Sequence, residues 1–400
     1  MECRGSRRFL FGYRFAMLGL PALSMLWVAC KRNERTGETA SAINEAAFIR
    51  ANLAGLHPPS ELGYPIGDTA RGPQAPSPYV VVTVYYGTSR APSGRKDPDH
   101  YYGTARGALR VGLATITIPK RIRPGDLRGP RWYLLEFRPD PSRDVILRDV
   151  HPLELGNWTA QVRAALDTSP GRQALVVVHG FREQFKHALR RTAQLAYDLN
   201  FTGVPIAYSW PTKGTLQGYL ADEATSEWAA PHLRRFLSII AVNTGAQHIF
   251  VIAHSMGSRV LAGALAPNAG THPVQTLEQV ILAAPDVDSD VFEQRDVQFL
   301  RKSAKWITLY ASSRDNALMV SRGLHAYRRA GLSDSPLVIV DSMDTIDASR
   351  VDTDLIGHGY FSENKAVIDD LFMLIRYGFS AERRNLLRQP QGPTWFYVLR

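Results

Sequence analysis

Residues 249–265 read IFVIAHSMGSRVLAGAL. Ile249–Ala253 is an apolar run of strand length, and Met256–Leu265 carries its apolar residues at helical spacing. Only His254 and Ser255 separate the two. A strand that turns this abruptly into a helix lifts the residue at the bend clear of both elements. The turn is sterically possible only if the residues two before and two after the bend are small. Ala253 and Gly257 meet that condition, so the pattern predicts a raised serine poised as a nucleophile. A serine that only caps a helix would look the same locally, so its partners must come from elsewhere in the chain.

On either side of this stretch, short apolar runs recur at Ala174–Val178, Pro205–Tyr208, Val280–Ala284, Ile307–Ala311 and Leu337–Val340. Continuous runs of this kind suit strands buried on both faces of a parallel sheet. Helical patterns lie between them: Phe185, Leu189, Ala193, Ala196 and Leu199 form one, and Leu233, Phe236, Ile239 and Ile240 another. The prediction is a doubly wound, mostly parallel α/β sheet. Upstream, Tyr79–Tyr86, Leu109–Ile118 and Trp132–Phe137 read as further strands. Residues 79–155 are therefore expected to be a β-rich extension that adds strands to the sheet.

A serine hydroxyl needs a base, and the base needs a third group to orient it. The strand ending at Ala311 leads into Ser312-Ser313-Arg314-Asp315, which sets Asp315 at a strand C-terminus. Beyond the last predicted strand a polar loop holds Gly357-His358-Gly359-Tyr360. The order Ser255, Asp315, His358 fits a triad whose members each follow a predicted strand. Asp286, in Pro285-Asp286-Val287-Asp288, is a rival acid after an earlier strand, and could otherwise brace the turn or line the pocket. For the oxyanion, the N–H of Met256 and the N–H of Phe181 are the expected donors, the latter following the buried strand that ends in His179-Gly180. His179 is expected to make structural hydrogen bonds, and His254 to point away from the site. Trp210, Pro211, Tyr219 and Asp222 suit structural packing, or the wall of a pocket. No metal or cofactor motif is present, so none is expected.

Together these blocks resemble a bacterial α/β-hydrolase family of the esterase/lipase superfamily, long catalogued as a domain of unknown function. The resemblance spans about residues 79–380. It rests on His179-Gly180-Phe181 with Phe185, Ser209-Trp210-Pro211, Tyr219 with Asp222, Ala253-His254-Ser255-Met256-Gly257, Ala284-Pro285-Asp286, Tyr310-Ala311-Ser312 with Asp315, and Gly357-His358. It implies an α/β-hydrolase fold and a Ser-Asp-His triad, and its members are often exported or lipid-anchored. It names no substrate.

The 400 residues are 45% hydrophobic and 21% charged, with a formal net charge of +10. That composition is globular. The basic excess is scattered and accompanied by no groove-reading motif, which argues against nucleic-acid binding. At the N-terminus, Arg4, Arg7, Arg8 and Arg14 precede an apolar run from Phe15 to Val28, then Ala29 and Cys30. This is the order of a signal peptide. Ala29-Cys30 resembles a lipobox, with Trp27 where such sites usually carry Leu, and Ser6-Arg7-Arg8 resembles a twin-arginine export signal. The expected layout is a signal peptide over 1–29, a tether over 30–78 (a short helix over Ser41–Leu56, then a proline-rich run), the hydrolase domain over 79–380, and a tail over 381–400. Cys3 and Cys30 are the only cysteines, so cleavage before Cys30 leaves one thiol, which a lipid would cap. Two functions follow. The first is a serine hydrolase of small-molecule or lipid esters, membrane-anchored through Cys30 and facing the periplasm. The second is an envelope lipoprotein that keeps the fold for binding alone. Thioesterase, peptidase and acyltransferase chemistry use the same triad.

Overall fold

Along the strand Gln173–Val178, Ala174, Val176 and Val178 pack into one apolar layer, while Leu175 and Val177 pack into another. Successive side chains of a strand point to opposite faces, so both faces of the sheet are covered. This is the arrangement the unbroken apolar runs predict. The computed structural model describes residues 77–129, 139–267, 270, 276–334, 336–351 and 358–400. The chain divides into units Met1–Gly67 and Asp68–Arg400, and every strand and helix named below belongs to the second. The expected signal peptide, Cys30, the Ser41–Leu56 helix, most of the tether and the strand Trp132–Phe137 lie outside the described residues.

The strands are β1 (Tyr79–Pro92), β2 (Tyr102–Pro119), β3 (Ile146–Leu153), β4 (Gln173–Val178), β5 (Val204–Ser209), β6 (His248–His254), β7 (Leu277–Ala283), β8 (Ala304–Ala311), β9 (Asp344–Asp347), β10 (Leu386–Gln391) and β11 (Thr394–Leu399). They form one sheet in the order β10-β11-β9-β8-β7-β6-β4-β5-β1-β2-β3. The centre, from β5 to β9, is parallel, and β1 joins it in parallel beside β5. Among the described residues, the antiparallel strand pairs are β1–β2, β2–β3 and β10–β11. The longer helices among the described residues are α1 (Leu155–Asp167), α2 (Phe185–Asp198), α3 (Tyr219–Asn243), α4 (Met256–Leu265), α5 (Val297–Ser303), α6 (Asn316–His325) and α7 (Lys365–Tyr377). Side chains of α1, α3, α4 and α5 fill one layer, and those of α2 and α7 the other. The fold is a doubly wound α/β-hydrolase-like sheet, with a strand-rich N-terminal region along one edge.

Two expectations are corrected. Leu337–Val340 is not a strand. Gln391 of β10 clamps Leu337 instead, its Oε1 accepting from the Leu337 N–H at 3.0 Å and its Nε2 donating to the Leu337 carbonyl at 2.8 Å. The place beside β8 belongs to β9. Leu337 and Val338 are apolar because they are buried in the core, and burial in a loop leaves the same sequence mark as burial in a strand. Residues 381–400 are not a tail either, because β10 and β11 form an antiparallel pair docked on β9.

Candidate active site

Between β6 and α4, Ser255 adopts φ 52° and ψ −127°. Such a conformation costs an L-residue on the order of 1–3 kcal/mol and persists only where neighbours enforce it. Three backbone bonds do so. The Ser255 N–H donates to the Ala283 carbonyl at 2.9 Å, and the Ser255 carbonyl accepts from Ser258 N–H at 3.0 Å and Asp286 N–H at 3.3 Å. A Cβ on Gly257 would lie 2.5 Å from the His179 carbonyl oxygen, so glycine is needed there. Ser258 donates its hydroxyl to the Ala253 carbonyl at 3.1 Å, closing the turn on itself.

β8 ends two elements away, at the same C-terminal edge of the sheet. There Asp315 caps α6, its Oδ1 accepting from the Leu318 N–H at 2.9 Å. Its Oδ2 lies 2.7 Å from His358 Nδ1. Asp315 is fully buried, while His358 is partly exposed. One carboxylate thus joins a helix N-terminus to an imidazole and fixes the ring's orientation.

The loop after β4 brings a third contribution to this edge. A Cβ on Gly180 would stand 2.8 Å from the Ser255 Cβ, which sets the Gly180–Phe181 peptide beside the serine. His179 holds that peptide. Its Nε2 faces the N–H of Trp210 at 3.1 Å, the hydroxyl of Ser209 at 3.2 Å and the guanidinium of Arg90 at 3.4 Å. With these donors on Nε2, the proton belongs on Nδ1, which donates to the Gly180 carbonyl at 2.8 Å. Burial, then the Arg90 charge, push the His179 imidazolium down to about 3, so the ring is neutral at ordinary pH. In a trans peptide the C=O and the following N–H point in opposite directions. Fixing the Gly180 carbonyl therefore also fixes where the Phe181 N–H points. Trp210 closes the clasp by donating its Nε1–H to the His179 carbonyl at 2.8 Å, with the two rings stacked.

Asp286 lies elsewhere. Its carboxylate is buried among Tyr219, Ser321 and Arg329, with oxygens 2.5 Å from the Tyr219 hydroxyl, 2.6 Å from the Ser321 hydroxyl and 3.3 Å from Arg329 Nε. It braces the turn through its backbone contact with Ser255. Asp222 accepts the Lys213 N–H at 2.9 Å and so ties the loop after β5 to α3.

His254 corrects the expectation that it points away. Its Nε2–H donates to the His358 carbonyl at 3.0 Å, and its ring lies against both His358 and Phe361. Burial and the neighbouring His358 hold it far below the ordinary histidine range, hence neutral. Arg90 is the residue that sequence reasoning missed. It is buried on β1 and donates to Ser209 Oγ at 2.8 Å and to the Glu183 carbonyl at 2.6 Å. Burial lowers it to about 9. The available signal was a cation ending the otherwise uncharged strand Tyr79–Ser89. Gly357 lies outside the described residues.

The family model described as "Alpha/beta hydrolase of unknown function (DUF900)" matches residues 156–376. No curated protein matches the chain. Among solved structures, a lipase-esterase related protein from Clostridium acetobutylicum ATCC 824 is similar at 9% identity and a TM-score of 0.26, over 51% of this chain and 93% of that one. A protein from Agrobacterium vitis S4, described as a hydrolase, is similar at 10% identity and a TM-score of 0.28, over 75% of this chain and 98% of that one.

Proposed function

The chain belongs to this family of alpha/beta hydrolases of unknown function, and on that premise we propose that it is a serine hydrolase cleaving carboxylic esters. The observation that carries the reading is the 2.7 Å contact between Asp315 and His358, set at the same sheet edge as the strained turn bearing Ser255. In this reading His358 takes the proton of the Ser255 hydroxyl as its oxygen attacks the ester carbonyl. Asp315 stabilises the resulting imidazolium. The N–H groups of Met256 and Phe181 receive the oxyanion; the first belongs to the opening turn of α4, whose amides have no acceptor within the helix. The alcohol leaves with the proton from His358, and water then releases the acid by the same steps in reverse. No cofactor is required.

The test is hydrolysis of a chain-length series of soluble esters by the wild type, Ser255→Ala and His358→Ala. The reading expects each variant to lose several orders of magnitude while its circular dichroism is unchanged. Retention of more than about a tenth of wild-type turnover by either variant would reject the assignment. The N-terminal sequence supports a companion proposal. Residues 1–29 direct export, Cys30 carries the lipid, and the stretch to residue 78 spaces the domain from a bilayer on the periplasmic side. Mass spectrometry of the mature N-terminus tests it: a diacylglyceryl-modified Cys30 is expected, and an intact Met1 would refute it.

A further inference from the structure

A helix on a protein surface ordinarily turns charge outward. α6 carries uncharged residues along its most exposed side, with Arg322 paired to Asp334 beside them. Asn316, Val320, Gly323 and Leu324 recur along its exposed side, while Leu318 and Ser321 are buried. Val320 and Leu324 are each 63% exposed, and Tyr327, just past the helix, is 62% exposed. A further exposed apolar side chain stands in the first turn of α3. There Leu220 is 69% exposed, and its neighbour Tyr219 shares a hydrogen bond with Ser321 of α6 at 3.0 Å.

This surface borders the candidate site. α6 starts at Asp315, which holds His358, and the Tyr219 ring packs edge-on against Phe181, 5.1 Å between centroids. Exposed cations stand in the same loops. Arg182 follows Phe181, Arg314 precedes Asp315, and Lys213 is tied by its backbone to the first turn of α3. Among the described residues, two acids beside this face are engaged. Glu223 pairs with Arg259 and His325, and Asp334 pairs with Arg322. Apolar side chains without a covering partner, flanked by cations, match a surface that is apolar beneath and anionic at its headgroups.

We propose that Leu220, Val320, Leu324 and Tyr327 form a lipid-seating face that brings the mouth of the site down onto an anionic bilayer surface. The proposal rests on the serine-hydrolase reading for its purpose, since the face would deliver ester-bearing lipids to Ser255. It is independent of that reading in its physics. The side chains enter the headgroup region while Arg182, Lys213 and Arg314 meet phosphates.

The test uses full-length protein in which Leu324→Trp or Val242→Trp adds one indole to the native seven. Val242 is equally exposed but sits at the far end of α3, about 33 Å from Leu220 at 1.5 Å per residue. Each variant is mixed with phosphatidylcholine–phosphatidylglycerol vesicles, with and without bromine on the acyl chains. In brominated vesicles, the emission added by Leu324→Trp should be lost and that added by Val242→Trp retained. The quenching should weaken in phosphatidylcholine alone. It reports the face itself, whatever else ties the chain to the vesicle. Equal emission with and without bromine would overturn the proposal, as would a concentration-dependent blue shift without lipid, which would mean that a second copy covers the face. Adding Ser255→Ala should leave the quenching unchanged, so failed ester hydrolysis would reject the enzyme reading without touching this one.

Discussion

His179 uses both ring nitrogens to fix one peptide. Nε2 collects donors from Trp210, Ser209 and Arg90, and Nδ1–H then has the Gly180 carbonyl as its acceptor. If Phe181 N–H is an oxyanion donor, His179→Gln should let that donor swing. Losing one such donor costs about 10²-fold in turnover, so kcat should fall by about that factor with KM nearly unchanged. A matching rise in KM would mean that the ring serves substrate binding instead. The two carboxylates separate in the same way. Asp315→Asn removes the acceptor for His358 and should lower kcat by up to about 10⁴-fold. Asp286→Asn weakens a buried cluster and should show mainly as lost stability. The opposite ranking in kinetics would move the acid to Asp286. In the sequence, Asp315 followed the predicted strand Ile307–Ala311 and His358 followed the run Leu337–Val340, which is a loop in the structure, while Asp286 stayed a rival acid. The reach of His254 to the His358 carbonyl was invisible, since the two are 104 positions apart and no local pattern encodes the contact.

Among the elements, packing sets what the turn tolerates. Gly257→Ala would press a methyl against backbone oxygens of Val178 and His179, at 2.8 and 2.5 Å. The His179 carbonyl cannot rotate away without losing its hydrogen bond from the Trp210 indole. Overpacking of this sort costs about 1–3 kcal/mol, which urea unfolding would read directly. A midpoint unchanged from wild type would show that strand and helix are not in contact there. The central strands were legible because burial on both faces leaves unbroken apolar runs, as in Leu175-Val176-Val177-Val178. β9 was not. It has four residues, Asp344-Thr345-Ile346-Asp347, with one aliphatic side chain, and the apolar run seven residues earlier gave the stronger signal from a loop. β10 was missed because Arg388, Gln389, Pro390 and Gln391 read as coil, and an edge strand needs no apolar face; β11, which lies between β10 and β9, carries the strand-like run Thr394–Leu399 and was legible but passed over.

For the whole molecule, buried neutral histidines tie stability to pH. The folded value of His179 is about 3 against an ordinary 6.5, and His254 shifts the same way. The unfolded chain therefore takes up these protons first as pH falls. The His179 contribution is fully present above about pH 6.5 and is lost progressively toward pH 3, by about 1.4 kcal/mol per unit. Denaturant titrations at pH 7 and pH 5 should differ by about 2 kcal/mol less in His179→Gln than in the wild type, and an identical difference would place the acid sensitivity elsewhere. The strand-rich N-terminal region enters the site by the same route, since Arg90 carries β1 to the loop after β4. Whether Ser255 is an activated nucleophile is read by stoichiometric labelling with a fluorophosphonate followed by peptide mapping. One adduct per chain is predicted, on Ser255, absent in Ser255→Ala and strongly slowed in His358→Ala. A folded wild-type protein that takes no label, or an adduct on another serine, would contradict the triad and the function built on it.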